Sequence, residues 1–207
     1  MPFELSHKEG EFLVRLARNA VDEYLKTGKC ITAPENTPEK LKRPCGVFVT
    51  INKVEDGRKD LRGCIGYPYP TDPLVTAVTQ SAISAAAQDP RFNPLSRQEL
   101  DKVVFEVSVL TPPEKLEIKN QKDCAKIEIG KDGLIIERGI FKGLLLPQVP
   151  VEWNWDQEEF LCQCCVKAGL PADNWLLEGT KLYKFQAIIF EEEGPKGEVK
   201  RKTLSGK

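Results

Sequence analysis

The residues best equipped for chemistry sit in one hexapeptide, Leu61-Arg62-Gly63-Cys64-Ile65-Gly66, where a thiol lies between two glycines and two residues after a guanidinium. A cation near sulfur favours the thiolate, which is the nucleophile and the metal-binding form. Glycine removes the side-chain wall and lets a ligand or another backbone approach closely. Cys64 is therefore the candidate nucleophile. Arg62 would orient an anionic ligand, and Gly63 and Gly66 would admit it. Against this stands a plainer reading, in which Cys64 is a small buried apolar residue and the glycines serve a bend. A cysteine nucleophile generally relies on a histidine base. The single histidine, His7, begins an expected helix, which disfavours a Cys-His-Asp hydrolase and leaves activation by Arg62 or a helix N-terminus. In an extended strand Arg62 and Cys64 share a face, whereas a bulge at Gly63 would separate them.

Four other positions are candidates for the same cleft. Asp89 and Arg91 lie in the proline-bounded stretch Asp89-Pro90-Arg91-Phe92-Asn93-Pro94; the competing reading is a helix stop with a local ion pair. Glu106 interrupts an apolar run, so it is either solvent-facing or a buried carboxylate with a partner. Gln148 is polar within Pro147-Gln148-Val149-Pro150 and would satisfy backbone beside a proline or touch a ligand. Cys162 and Cys165 share a helix face, but zinc needs four ligands and no partner pair accompanies them. Cys164 and Cys165 also fall on the apolar stripe with Phe160, Leu161 and Ala168, so these cysteines read as core and no metal is expected. Gly130-Lys131-Asp132-Gly133 lacks a following helix and reads as a hairpin turn. Trp153 and Trp155 read as the rim of a core. No cofactor fingerprint stands out, and none is expected.

The elements that position these residues follow from periodicity. Ser6-His7-Lys8-Glu9 fits a capping box, followed by Phe12, Leu13, Leu16, Ala17, Ala20, Tyr24 and Leu25 at helical spacing and a stop at Gly28. A long proline-containing loop runs to Pro44. Val47, Val49 and Ile51 alternate as in a strand, and Asp56-Gly57 predicts a hairpin whose return arm ends near Cys64. Tyr67-Pro68-Tyr69-Pro70 blocks further pairing. Asp72-Pro73 opens a helix through Gln88, rich in small residues that let another element pack close. Ser96-Arg97-Gln98-Glu99 repeats the capping pattern and predicts a short helix. Val103–Leu110 reads as a buried strand. Lys126–Ile129 and Leu134–Ile136 read as a hairpin, Gly143–Val151 as an edge or extended segment, 156–167 as a third major helix, and Lys181–Glu191 as the last strand. The mixture, without regular βαβ alternation, predicts α+β: a mixed, largely antiparallel sheet arrangement with three main helices.

Composition narrows the class further. The chain has 207 residues, 41% hydrophobic and 29% charged, with net charge −1, which is ordinary for a globular protein and gives no strong field for nucleic acid. The longest apolar candidate for a membrane span, Leu144 to Val151, is broken by Pro147 and Pro150. The first residues carry no basic-then-apolar leader, and seven cysteines then read as reduced thiols; both point to a cytoplasmic protein. Lys196, Lys200, Arg201, Lys202 and Lys207 form a basic cluster, read as a flexible solvated tail over 194–207.

Taken together, the hexapeptide resembles the signature of the AMMECR-one domain family. The resemblance extends through Asp89-Pro90-Arg91-Phe92, Glu106-Val107-Ser108-Val109-Leu110-Thr111-Pro112, Gly133-Leu134-Ile135-Ile136 and Gly143-Leu144-Leu145-Leu146-Pro147-Gln148-Val149, in family order, over roughly Phe3 to Glu193. It implies a domain over residues 3–193 with two intertwined parts and a functional centre at the hexapeptide, without supplying a reaction. It also implies association with Memo-type and radical-SAM proteins. The leading expectation is a small-ligand or substrate cleft at the hexapeptide. The alternative is a non-catalytic protein-interaction module, and nucleic-acid binding, resting on the basic tail and two long loops, ranks third.

Overall fold

The structure, a computed structural model, describes residues 4–69, 71–118 and 120–203, without the side chain of Gln121. Phe3, Pro70 and Lys207, named above, lie outside the described residues. In chain order the elements are α1 (His7–Thr27), β1 (Gly46–Glu55), β2 (Arg58–Tyr67), α2 (Leu74–Ala87), β3 (Val103–Leu110), β4 (Glu114–Leu116), β5 (Asp132–Arg138), β6 (Phe141–Leu145), α3 (Gln148–Trp153), α4 (Gln157–Lys167), β7 (Lys181–Glu192) and β8 (Val199–Lys202). This is an α+β fold with antiparallel strand pairing and three long helices, as its sequence predicts. The chain groups into two units: unit 1 joins residues 4–110 to Ile188–Lys202, and unit 2 contains Thr111–Ala187.

Unit 1 is built on the strand order β2-β1-β3-β7, with β8 on β7. Asp56 and Gly57 both take positive φ, 50° and 75°, which matches the twist of a tight two-residue hairpin and joins β1 to β2. One face of the sheet carries Val47, Val49, Ile51, Phe105, Val107 and Val109 into a core with Leu13, Ala17 and Val21 of α1 and Leu74, Val78 and Ala82 of α2. α1 starts as its letters require: Ser6 Oγ accepts from Glu9 N–H, the Glu9 carboxylate accepts from Ser6 N–H, and Gly28 ends the helix in the left-handed region.

A buried ion pair crosses this core. Arg18 on α1 donates through Nε to Glu192 Oε1 at 2.7 Å and through Nη2 to the other carboxylate oxygen, with side chains 7% and 0% exposed. The same guanidinium donates to the carbonyls of Leu100 (3.0 Å) and Val103 (2.7 Å) and lies 4.8 Å above the Phe105 ring. Phe105 N–H donates to Glu192 (3.1 Å), and Arg15 reaches both Glu192 and the Gly197 carbonyl. Helix, β3 and the end of β7 thus meet at one saturated set of charge-assisted bonds.

Several elements differ from their sequence patterns. Ser96 and Glu99 do exchange capping bonds, but only a 3-10 turn, Leu100–Lys102, follows, because β3 begins at Val103. Pro73, not Asp72, occupies the cap of α2. The presumed solvated tail contains β8: Val199 is fully buried, and Lys200, Arg201 and Lys202 pair with Glu191, Phe190 and Ile189. β7 is therefore not the last strand.

In unit 2, β4 and β5 pair with β7, and β6 pairs with β5. The hairpin turns at Gly139-Ile140, with Gly139 at φ 59°, rather than at Gly130–Gly133. No strand forms over Lys126–Ile129, where a 3-10 helix, Gln121–Lys126, ends, and the Gly130–Gly133 turn only leads into β5. The apolar stretch from Gly143 splits into edge strand β6 and the short helix α3, where Pro150 falls in the first turn and needs no N–H partner. α4 begins at an Asp156 cap and sends Phe160, Leu161, Cys164 and Cys165 into a core with Leu134, Ile136, Trp175 and Leu182.

Glu192→Ala is expected to lose about 3–5 kcal/mol of unfolding free energy in denaturant titration, since it strands the buried guanidinium. The double replacement Arg18→Met/Glu192→Leu should recover most of that loss.

Candidate functional site

Position 64 is set by a register irregularity. Thr50 pairs with Cys64 and Ile51 with Gly63, but Asn52 pairs with Leu61, so Arg62 is the extra residue of a β-bulge. The bulge takes Arg62 out of the alternation that would have set it beside Cys64. Its guanidinium is instead committed to Glu99, Nε to Oε1 at 3.0 Å and Nη2 to Oε2 at 3.4 Å, and stands 5.9 Å from the Phe92 ring centre. The Arg62 guanidinium and the Ser96 bonds hold the Glu99 carboxyl down at about 2. Arg62 Nη1 is buried without a hydrogen-bond partner. Two of the three guanidinium nitrogens are thus engaged by Glu99.

Cys64 lies three residues before the end of β2, half-buried, with Thr50 Oγ1 donating to its sulfur at 3.2 Å. Burial pushes its thiol above the ordinary cysteine value; the Thr50 bond and the Arg91 charge oppose the shift, and the Glu106 and Asp89 charges add to it. The direction favours the thiol over the thiolate. The His7 ring packs edge-on against Phe190 at 6.5 Å.

The main-chain groups of Cys64 account for the Asp89-Pro90-Arg91-Phe92 stretch. β2 ends the strand order of unit 1, so its outward N–H and C=O would go unpaired. Cys64 N–H donates to Asp89 Oδ2 at 2.9 Å, and Arg91 Nη2 donates to the Cys64 carbonyl at 3.3 Å. A carboxylate and a guanidinium here do what a further strand would do. The two are locked to each other, Arg91 Nε and Nη2 donating to Asp89 at 3.0 and 2.7 Å. The Arg91 side chain first, and the Cys64 and Arg91 N–H groups with it, keep the buried Asp89 carboxyl at about 2. Asp89, Arg91 and Cys64 are thus brought together, and the surroundings of the sulfur carry balanced rather than net positive charge.

The two glycines face protein. A Cβ on Gly63 would lie 2.1 Å from the Ala85 carbonyl oxygen of α2, and one on Gly66 would lie 2.2 Å from the Val47 carbonyl oxygen. The small residues of α2 let that helix close on β2, and the absent side chains admit the helix backbone at Gly63 and the β1 backbone at Gly66.

Glu106 is opposite Thr50 on β3, which makes one row Cys64–Thr50–Glu106 across the strands. Its side chain is 5% exposed and ion-paired to Lys202 of β8 at 2.8 Å. Sequence reasoning allowed a buried carboxylate with a partner but missed the partner, since Lys202 is 96 positions away in presumed tail. Gln148 belongs to unit 2, on α3, where its Oε1 is buried without a hydrogen-bond partner. Burial lifts the Cys164 and Cys165 thiols to about 12 and 11, and Cys164 contacts the Leu134 and Gly143 carbonyls. Among the described residues no three His, Cys, Asp or Glu side chains converge as a metal site. A surface depression of about 580 Å³ lies elsewhere in unit 1, lined by Asn19, Asp22, Glu23, Lys29, Cys30, Ile31 and Thr32.

Two measurements check this geometry. A folded-state carboxyl held low stabilises above its unfolded pKa and loses that contribution as pH falls through the folded value, here from about pH 4 to about pH 2. Asp89→Asn should flatten that acid limb of the unfolding free energy by about 2 kcal/mol, after allowance for screening at half-exposed Arg91. Gly63→Ala should lower the unfolding free energy by about 1–3 kcal/mol, because helix backbone must retreat.

The chain was compared with known proteins. A family model described as AMMECR1 matches residues 14–190. Protein PH0010 of Pyrococcus horikoshii is 57% identical over 205 residues, covering 99% of this chain and 100% of that protein. Protein MJ0810 of Methanocaldococcus jannaschii is 52% identical over 201 residues, 97% of this chain and 98% of its own. The crystal structure of the Pyrococcus horikoshii protein superposes with a TM-score of 0.92, covering 98% of this chain and 100% of that one. With a family model spanning most of its length and relatives identical at more than half their positions, the chain belongs to the AMMECR1 family.

Proposed function

We propose that the chain is a protein-binding module whose recognition surface is the exposed side of the β1–β2 hairpin around the hexapeptide. One observation carries this reading: the polar groups of the hexapeptide are engaged within the chain and Ile65 packs against the core, while Leu61 is offered outward. Arg62 is held by Glu99, the Cys64 N–H and C=O by Asp89 and Arg91, and the sulfur by Thr50. Leu61 is 43% exposed on the face it shares with Thr50 and Cys64; Tyr67 and Tyr69, 39% and 38% exposed, lie beyond the motif, Tyr67 on the opposite face across from Val47. An exposed apolar side chain on a rigid strand, with ion-paired charges beside it, suits the centre of an interface with a polar rim. The family resemblance makes Memo-type and radical-SAM proteins the first partners to try, in the cytoplasm.

The test is calorimetric titration of the full chain with a Memo-type protein and with a radical-SAM protein. Binding to one of them is expected, with Leu61→Asp weakening it at least about tenfold, about 1.4 kcal/mol. The melting temperature should stay unchanged, and Cys64→Ser should bind as wild type. No binding to either protein, or a turnover that disappears in Cys64→Ser, would reject the module and return the site to small-ligand chemistry.

A further inference from the structure

Glu106 is a costly residue where it stands. Every residue of β3 is buried, and the core packs on the opposite face of that strand through Phe105, Val107 and Val109. An ion pair in such a place is rarely worth more than well-packed hydrocarbon of similar volume, so fold stability alone gives little reason for it. Its partner also comes from an unusual source. Lys202 ends the four-residue strand β8, is 34% exposed, and bridges Glu106 Oε2 at 2.8 Å and Glu191 Oε2 at 3.9 Å. A short strand anchored at its far end by buried Val199 can release its last residues without unfolding the remainder.

A second observation comes from the same face of β3. Ser108, two residues beyond Glu106 and therefore on its side of the strand, is 1% exposed, and its Oγ has no hydrogen-bond partner. A buried hydroxyl left unpaired is unfavourable by about 1–3 kcal/mol. An ammonium has three N–H donors, and one not tethered to β8 would have them available for both Glu106 and Ser108.

We propose that Glu106 and Ser108 form a binding site for a primary ammonium group and that Lys202 fills it from within, so that β8 is a displaceable strap. The ligand class is a small molecule bearing a primary amine, protonated at neutral pH. Thr50 and half-buried Cys64 continue the row from Glu106 toward the strand edge and would line the ligand's path. The proposal does not depend on the hairpin being a docking surface.

The experiment titrates ethylammonium chloride onto the full chain, with tetramethylammonium chloride, which has no N–H, as the control at matched ionic strength. A tethered lysine competes at an effective concentration of order millimolar, so displacement requires more than that. In the wild-type protein, ethylammonium is expected to speed hydrogen exchange of the Val199–Lys202 amides several-fold and saturably, and tetramethylammonium to leave it unchanged. In Lys202→Ala, ethylammonium should raise the melting temperature at roughly tenfold lower concentration, the tethered competitor being gone. Glu106→Gln should abolish both responses, and Ser108→Ala should weaken both. Equal responses to the two cations overturn the proposal. So does rescue of Lys202→Ala without accelerated exchange in the wild-type protein, which would make the pair structural only. If Lys202→Ala fails to fold, its refolding yield with each cation is compared instead, and the wild-type exchange result still decides.

Discussion

The bidentate contact between Arg18 and Glu192 is the constraint on which unit 1 rests. Two charges removed from water must find each other and must also satisfy their remaining donors and lone pairs. The surrounding chain supplies those partners from places far apart in sequence: the carbonyls of Leu100 and Val103, the N–H of Phe105, and Arg15 one turn earlier on α1. Because the guanidinium holds Val103, the register of β3 begins there. β1 pairs along β3, β2 pairs along β1, and the position of Cys64 follows from that sequence of pairings. The site thus lies two strand pairings away from a buried charge pair that contains none of its residues.

Around Cys64 the recurring problem is the edge of a sheet. A strand at the end of a sheet offers unpaired N–H and C=O groups and invites unwanted pairing. Here the bulge at Arg62 twists the edge, Asp89 and Arg91 close the main-chain positions of Cys64, and α2 closes down at Gly63. These are three separate devices within a few residues. They give cation, glycine and thiol each a structural task within a few residues, and they balance the charges near the sulfur. Burial then dominates and favours the thiol.

Some of this is readable in the letters because the physics is local. The α1 capping box, the Asp56-Gly57 turn, the Asp156 cap of α4 and the stripe of Phe160, Leu161, Cys164 and Cys165 each depend on residues within a few positions of one another. Other signals were local and yet outweighed. Ser96 and Glu99 make their capping bonds, but the helix they announce is overridden by a buried strand three residues on. Gly130–Gly133 carries turn residues, but the hairpin forms where Leu134–Arg138 finds Phe141–Leu145, at Gly139-Ile140. The segment after Glu193 looked solvated by composition, yet Val199 alone gives β8 a buried anchor on β7.

The class of fold, the long helices, the hairpin that carries the hexapeptide and the family of the chain are all legible in its letters. Periodicity, caps and turn residues act over one or two turns of chain, and a signature is a string. Only the tertiary structure decided which groups meet. It gave Arg62 to Glu99 across 37 positions, Glu106 to Lys202 across 96 and Arg18 to Glu192 across 174. It also placed the bulge one residue before the glycine expected to host it. Such partnerships depend on strand register and on desolvation at the contact, and neither is a property of any short run of residues.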